Sequence, residues 1–122
     1  MDHIVVHFDI PATDPEALAR FYSQLFGWKI EKTPGLVPYW LIETAPEGRG
    51  VGGGIMPREA PEQHPNNYIW VESVAEFSSR VQELGGRIVV AKTAVPQMGY
   101  FAIAIDPQGN SFGLWEDDPS AA

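Results

Sequence analysis

HFDIPATDPEALARFYSQLFGWKI, residues 7–30, decides the fold of this chain. Its first four residues read as the end of an apolar strand. Thr13 or Asp14 can then cap a helix, Pro15 has φ preset for a first turn, and Glu16 complements the helix dipole. Leu18, Phe21, Tyr22 and Leu25 recur at helical spacing and predict the buried face. Gly27 is a C-terminal stop, and the chain re-enters a strand at Trp28.

The same plan returns further along. Ser73-Val74-Ala75-Glu76 is a capping box, Val74, Phe77, Val81 and Leu84 share one helical face, and Gly85-Gly86 end it. Gly27 and Gly86 are 59 residues apart, and that shift lays Leu25 on Leu84 and residues 7–10 on residues 66–69. The remaining sequence reads as strands at residues 4–10, 28–32, 39–44 and 51–56, then 68–71, 87–91, 100–105 and 111–115. Breakers separate them, and Asp106-Pro107-Gln108-Gly109-Asn110 reads as a tight hairpin turn. The expected fold class is therefore α+β: two βαβββ modules forming a curved mixed sheet with helices on the outer face. Module 1 spans about residues 1–57, a Pro-rich linker 58–65, module 2 residues 66–116 and a tail 117–122. A module of about 55 residues buries too little alone, so the two are expected to make one domain of 122 residues.

Composition narrows the function. The net charge is −8 and the eight Lys and Arg are scattered, so the electrostatic footprint of a nucleic-acid binder is missing. The absence of cysteine excludes a disulfide scaffold, thiolate metal sites and a thiol nucleophile, and fits a reducing cytoplasm. The apolar stretch near the start is too short for a signal peptide or a membrane span. Gly52-Gly53-Gly54 lacks the helix and the Lys-Ser/Thr that a phosphate loop needs, so it marks a bulge or a close backbone approach. No hydrolase triad order or dinucleotide fingerprint is present.

Alternation places Val5, His7 and Asp9 on one face of the first strand and Ile4, Val6, Phe8 and Ile10 on the other. The apolar set should meet the helix, which turns His7 toward the opposite concavity. Glu43 shares its strand face with Leu41 and Tyr39. A carboxylate among apolar neighbours should pair, bind metal or carry a raised pKa, and near a strand end it can equally be solvated. Tyr68, Trp70 and Trp115, with Tyr100, are expected to line the concavity as flat walls suited to a planar, partly apolar organic ligand; a dry sheet core or a dimer seam would use the same residues. His3 and His64 are expected to be solvated.

HFDI before the first helix, ARFYSQLFGWKI through it and DPQGNSFGLWE at the end resemble the vicinal oxygen chelate superfamily, which holds glyoxalase I, extradiol dioxygenases and the bleomycin and fosfomycin resistance proteins. The resemblance covers essentially the whole chain. It implies a metal-assisted lyase, isomerase or dioxygenase, or a non-catalytic binder of aromatic or cationic drug-like compounds, and a homodimer. Metal ligands would fall on the first strand and a later strand of each module: His7, Glu43, Asn66 and Gly113. Only His7 and Glu43 are good donors, Asn66 is a weak one, and glycine offers no side chain, so the resemblance implies either one divalent ion or none. If the chain is catalytic, Glu43 is its expected base and His7 with Glu43 its expected metal ligands. The expected pocket is lined by Tyr39, Asn66, Tyr68, Trp70, Tyr100 and Trp115. A third reading is a regulatory module whose sheets only dimerise, and exposed sheet edges favour self-association under all three readings.

Overall fold

The computed structural model describes residues 2–122. They fall into two compact units, Val6–Asn66, and Asn67–Ala122 together with residues 2–5. In the first unit the chain runs β1 (Val5–Ala12), α1 (Pro15–Phe26), β2 (Lys29–Lys32), β3 (Trp40–Glu43), a 3-10 turn at Pro46–Gly48 and β4 (Gly52–Pro57). The second carries β5 (Asn66–Trp70) from its second residue on, α2 (Val74–Glu83), β6 (Arg87–Val95), β7 (Gly99–Ile105) and β8 (Ser111–Asp117). Both are α+β, and both build a mixed sheet of the same design. The strand order is β2-β3-β4-β1 in one and β5-β8-β7-β6 in the other. The first and last strands of each module pair in parallel and the rest antiparallel.

Local chemistry explains the elements. The Asp14 carboxylate accepts the Ala17 N–H at 3.1 Å and caps α1, which ends where Gly27 adopts a left-handed φ of 73°. Ser73 caps α2 by accepting the Glu76 N–H at 3.1 Å. In the hairpin between β7 and β8, Asp106 Oδ1 accepts N–H bonds from Gln108 and Asn110 at 2.8 and 3.0 Å. These bonds, the Asn110 backbone N–H foremost, hold the Asp106 carboxyl below the ordinary aspartate range.

Each helix covers one sheet face. Ala19 of α1 joins Ala12, Trp40, Ile42 and Ile55 in one core, with Phe8, Ile10, Leu18, Trp28 and Ile30 packed against it. Val74 of α2 joins Val71, Ala102 and Leu114 in the other core, with Ile69, Phe77, Val81, Tyr100 and Phe112 packed against it. The apolar side of β1 thus meets the helix, as alternation requires. The α1 stripe differs from its sequence expectation. Ala19 approaches the sheet, and Phe21 and Leu25 remain 54% and 58% exposed. Leu84, the residue after the last turn of α2, is 74% exposed.

Residues 2–5 pack with the second unit, where Trp70 N–H donates to the Ile4 carbonyl at 2.9 Å and exposed His3 pairs with Glu72 at 2.9 Å. The Pro-rich stretch is tied to β1, because Arg58 donates through its backbone N–H to the Ala12 carbonyl and through its guanidinium to that of Pro11. At the C-terminus, Asp118 N–H donates to Met98 and Ala121 is buried. Among the described residues no helix is long and apolar enough to cross a membrane.

Candidate ligand site

The sheet faces that the helices leave uncovered carry the polar and aromatic residues of interest. In the first module that face holds His7 and Asp9 from β1, Gly52 and Gly54 from β4, and Tyr39, Leu41 and Glu43 from the β3 segment. Register fixes the rows, since His7 pairs with Gly52, and Asp9 with Gly54, which in turn pairs with Leu41.

His7, Asp9 and Tyr39 are hydrogen-bonded to one another. The Tyr39 hydroxyl donates to Asp9 Oδ1 at 2.9 Å, and His7 Nε2 lies 2.9 Å from the same oxygen and 2.8 Å from the phenol oxygen. A carboxylate only accepts, so Nε2 carries the proton in this arrangement. Asp9 is 8% exposed and is the one charged residue in the buried class among the described residues. Its burial is tolerable because two donors meet the charge. Gly54 makes the geometry possible, because a Cβ there would stand 1.8 Å from the Tyr39 hydroxyl. The glycine run is a place of close approach, with the Phe8 ring against Gly53 and the Tyr39 ring against Gly54.

Glu43 does not join this group. It continues the row beyond the Ile42–Gly53 pair, so Gly52 separates it from His7 and two strand spacings, about 10 Å, separate the Cα atoms. Its side chain is exposed rather than set among apolar neighbours, beside Lys29, Glu31 and Leu41 in a shallow surface depression. The Lys29 ammonium is held above the usual lysine range by its hydrogen bond to Glu31, then by the charges of Glu31 and Glu43.

In the second module the uncovered face is aromatic. Tyr68 pairs with Gly113, Trp70 with Trp115, and Trp115 with Phe101. Tyr68 is 9% exposed and meets Phe101 edge to face at 6.4 Å between centroids. The Trp115 indole N–H donates to Asp117 at 2.7 Å. Asn66 opens β5, in alternation with Tyr68 and Trp70. Tyr100 is not part of this wall. It pairs with Glu116 and packs into the cluster under α2, and Phe101, which the sequence reading missed, takes the place expected of it. Two adjacent aromatics on one strand give alternation no way to choose between them. Asp9 was also missed, although it alternates with His7.

The two modules superimpose in sequence by 59 residues, and their registers agree, since Asp9 pairs with Gly54 as Tyr68 pairs with Gly113. The counterpart of Gly113 is therefore Gly54 on the fourth strand of its module, and Glu43 lies one strand earlier. Both equivalent positions are glycine and both are roofed by a tyrosine: a Cβ at Gly113 would stand 2.2 Å from the Tyr68 ring. Among the described residues no three His, Cys, Asp or Glu side chains converge as a metal site would require. The donors at hand do not fit a divalent ion held in the manner of the superfamily, because His7 is turned to Asp9 and Tyr39, Glu43 faces solvent, and the remaining positions are an amide and two covered glycines.

Paired βαβββ modules of this register define a protein of the vicinal oxygen chelate superfamily. Within it the chain belongs to the family of the glyoxalase-like domain, whose model matches residues 5–115. Similar proteins include CFP32 of Mycobacterium bovis, 32% identical over 114 residues that cover 88% of this chain and 43% of that protein. The anthracycline biosynthesis protein DnrV of Streptomyces peucetius is 27% identical over 125 residues, covering 88% of this chain and 45% of DnrV. The chain thus spans less than half the length of these two relatives. Methylmalonyl-CoA epimerase of Streptomyces coelicolor, solved with 2-nitronate-propionyl-CoA, matches the fold with a TM-score of 0.71 at 12% identity, covering 98% of each chain. Structural neighbours of the chain therefore bind small molecules such as CoA esters.

Proposed function

We propose that this chain is a small-molecule-binding protein of the glyoxalase-like family that holds a planar, partly apolar organic compound on the helix-free sheet face of its second module without a divalent metal. The observation that carries this reading is the covering of Gly54 by Tyr39 and of Gly113 by Tyr68. Phenol rings fill the room that ligating side chains at these positions would need. The aromatic face of Tyr68, Trp70, Phe101 and Trp115 supplies flat apolar contact, which suits polycyclic aromatic compounds of the kind named in the DnrV relative. The protein would act in the cytoplasm. Exposed Val89 and Val90 on β6, an edge strand, favour a homodimer.

A metal-assisted lyase, isomerase or dioxygenase is the second reading, favoured by the single row of His7, Gly52 and Glu43. It would use His7 and Glu43 as ligands, or Glu43 as base. Titration of the protein with a panel of planar aromatic compounds, followed by tryptophan fluorescence with and without a chelator, separates the two. Saturable binding unchanged by the chelator is expected. Binding lost on chelation and restored by a divalent ion would overturn the proposal, as would a panel in which nothing binds.

A further inference from the structure

We infer that Asp117 is a positioning residue for the ligand: its carboxylate holds the Trp115 indole in one orientation and enriches the π electrons of that ring, so that the aromatic face of the second module selects a planar heteroaromatic cation. The inference rests on the binding function proposed above and names the class of compound. Trp70, Gly99, Phe101, Trp115 and Asp117 all belong to one compact unit.

Trp115 and Asp117 alternate on β8 and share the face that α2 leaves uncovered. The indole N–H donates to Asp117 Oδ1 at 2.7 Å, a short bond to a charged acceptor. Asp117 is the register partner of Gly99, and the same edge of the ring leans over that glycine, where a Cβ would stand 2.7 Å from Trp115 Cζ2. Nε1 and Cζ2 flank one carbon of the indole, so the two contacts fix that edge and with it the rotation of the ring. A side chain already held in place loses little rotamer freedom when a ligand stacks on it. Trp115 is partly exposed and pairs with Trp70 on β5 and Phe101 on β7, which sets the held indole in the middle of an aromatic row. Donation to a carboxylate draws the indole proton toward the acceptor and leaves the π system richer in electrons, which strengthens the pull of its negative face on a cation. The strands β5, β7 and β8 contain no Lys or Arg to oppose one, and Asp117 is exposed. The contact with ligand belongs to Trp115, and Asp117 acts through it.

The test compares N-methylacridinium, a permanent planar cation, with acridine, uncharged in mildly alkaline buffer, by equilibrium dialysis against the wild-type chain and Asp117→Asn. The amide keeps an acceptor for the indole N–H and removes the charge. Wild type should prefer the cation, and Asp117→Asn should lower the ratio of the two affinities about threefold to thirtyfold. In a Trp115→Phe background, which has a ring but no N–H, Asp117→Asn should change that ratio far less. A loss of equal size there means that the charge acts without the indole and overturns the inference, as does an unchanged ratio in Asp117→Asn. If both compounds bind wild type without preference, the binding function stands and the role of Asp117 falls; if neither binds, both fall. Should Asp117→Asn not fold, the Trp115 indole N–H proton resonance of the wild-type chain, assigned by its loss in Trp115→Phe, decides. It should move on saturation with N-methylacridinium, and a resonance that ignores the cation contradicts the inference.

Discussion

Replacing Gly54 with alanine should disrupt the polar group of the first module through a single contact. The new Cβ would stand 1.8 Å from the Tyr39 hydroxyl oxygen and 1.9 Å from Cζ, so the ring must leave its place over the strand. Tyr39 then gives up its donation to the Asp9 carboxylate. A hydrogen bond to a charged group contributes about 1.5–3 kcal/mol, and forcing volume into a packed site costs about 1–3 kcal/mol. Alanine recovers about 0.4–1 kcal/mol by restricting the unfolded chain. The net expectation is a destabilisation of about 2–4 kcal/mol, within the spread of these terms. In a Tyr39→Ala background the methyl meets no ring, and Gly54→Ala should be neutral or slightly stabilising. Urea unfolding of the four proteins of this double-mutant cycle measures the coupling. Additivity within about 0.5 kcal/mol would refute the claim that Gly54 exists to accommodate Tyr39.

Other outcomes follow from the same structure. Asp14→Ala and Ser73→Ala each remove a helix cap and should each cost about 1 kcal/mol in urea unfolding, additively because the caps share no partner. The Asp106 carboxyl is held low in the folded state, so its contribution is full at neutral pH, above the ordinary aspartate range, and is lost as pH falls through the folded value. Melting temperatures of wild type and Asp106→Asn should therefore converge as the solution is acidified from neutral pH, and a gap that stays constant would contradict the assignment. Trp115→Ala should weaken binding of a planar aromatic compound, whereas Tyr100→Phe, a change under α2, should leave the fluorescence titration unchanged.

The elements were legible because their ends carry local chemistry. The Asp14 and Ser73 caps, the Gly27 stop and the Asp106 turn act within a few residues of themselves, and the strands between them follow. The direction of His7 was legible too, since Phe8 and Ile10 had to meet the helix. The partners of His7 were not. Tyr39 lies 32 residues away in sequence and reaches His7 only because Gly54 leaves room, a relation that no periodicity encodes. Glu43 matched a family position on its neighbours in sequence, but the parallel register of β1 with β4 and of β5 with β8 makes Gly54 the counterpart of Gly113. Tyr100 and Phe101 stand side by side, and only the pairing of Phe101 with Trp115 tells which one faces away from α2.

The most direct test of a metal-independent protein is thermal unfolding of chelator-treated chain with Zn²⁺, Mn²⁺, Ni²⁺ or Co²⁺ added singly. An ion bound only by the folded state at a hundred times its Kd would add about 2.7 kcal/mol, easily read as a rise in Tm. The account predicts no rise in wild type that disappears in His7→Ala. A stoichiometric rise with any of the four ions, abolished by His7→Ala or Glu43→Ala, would contradict it.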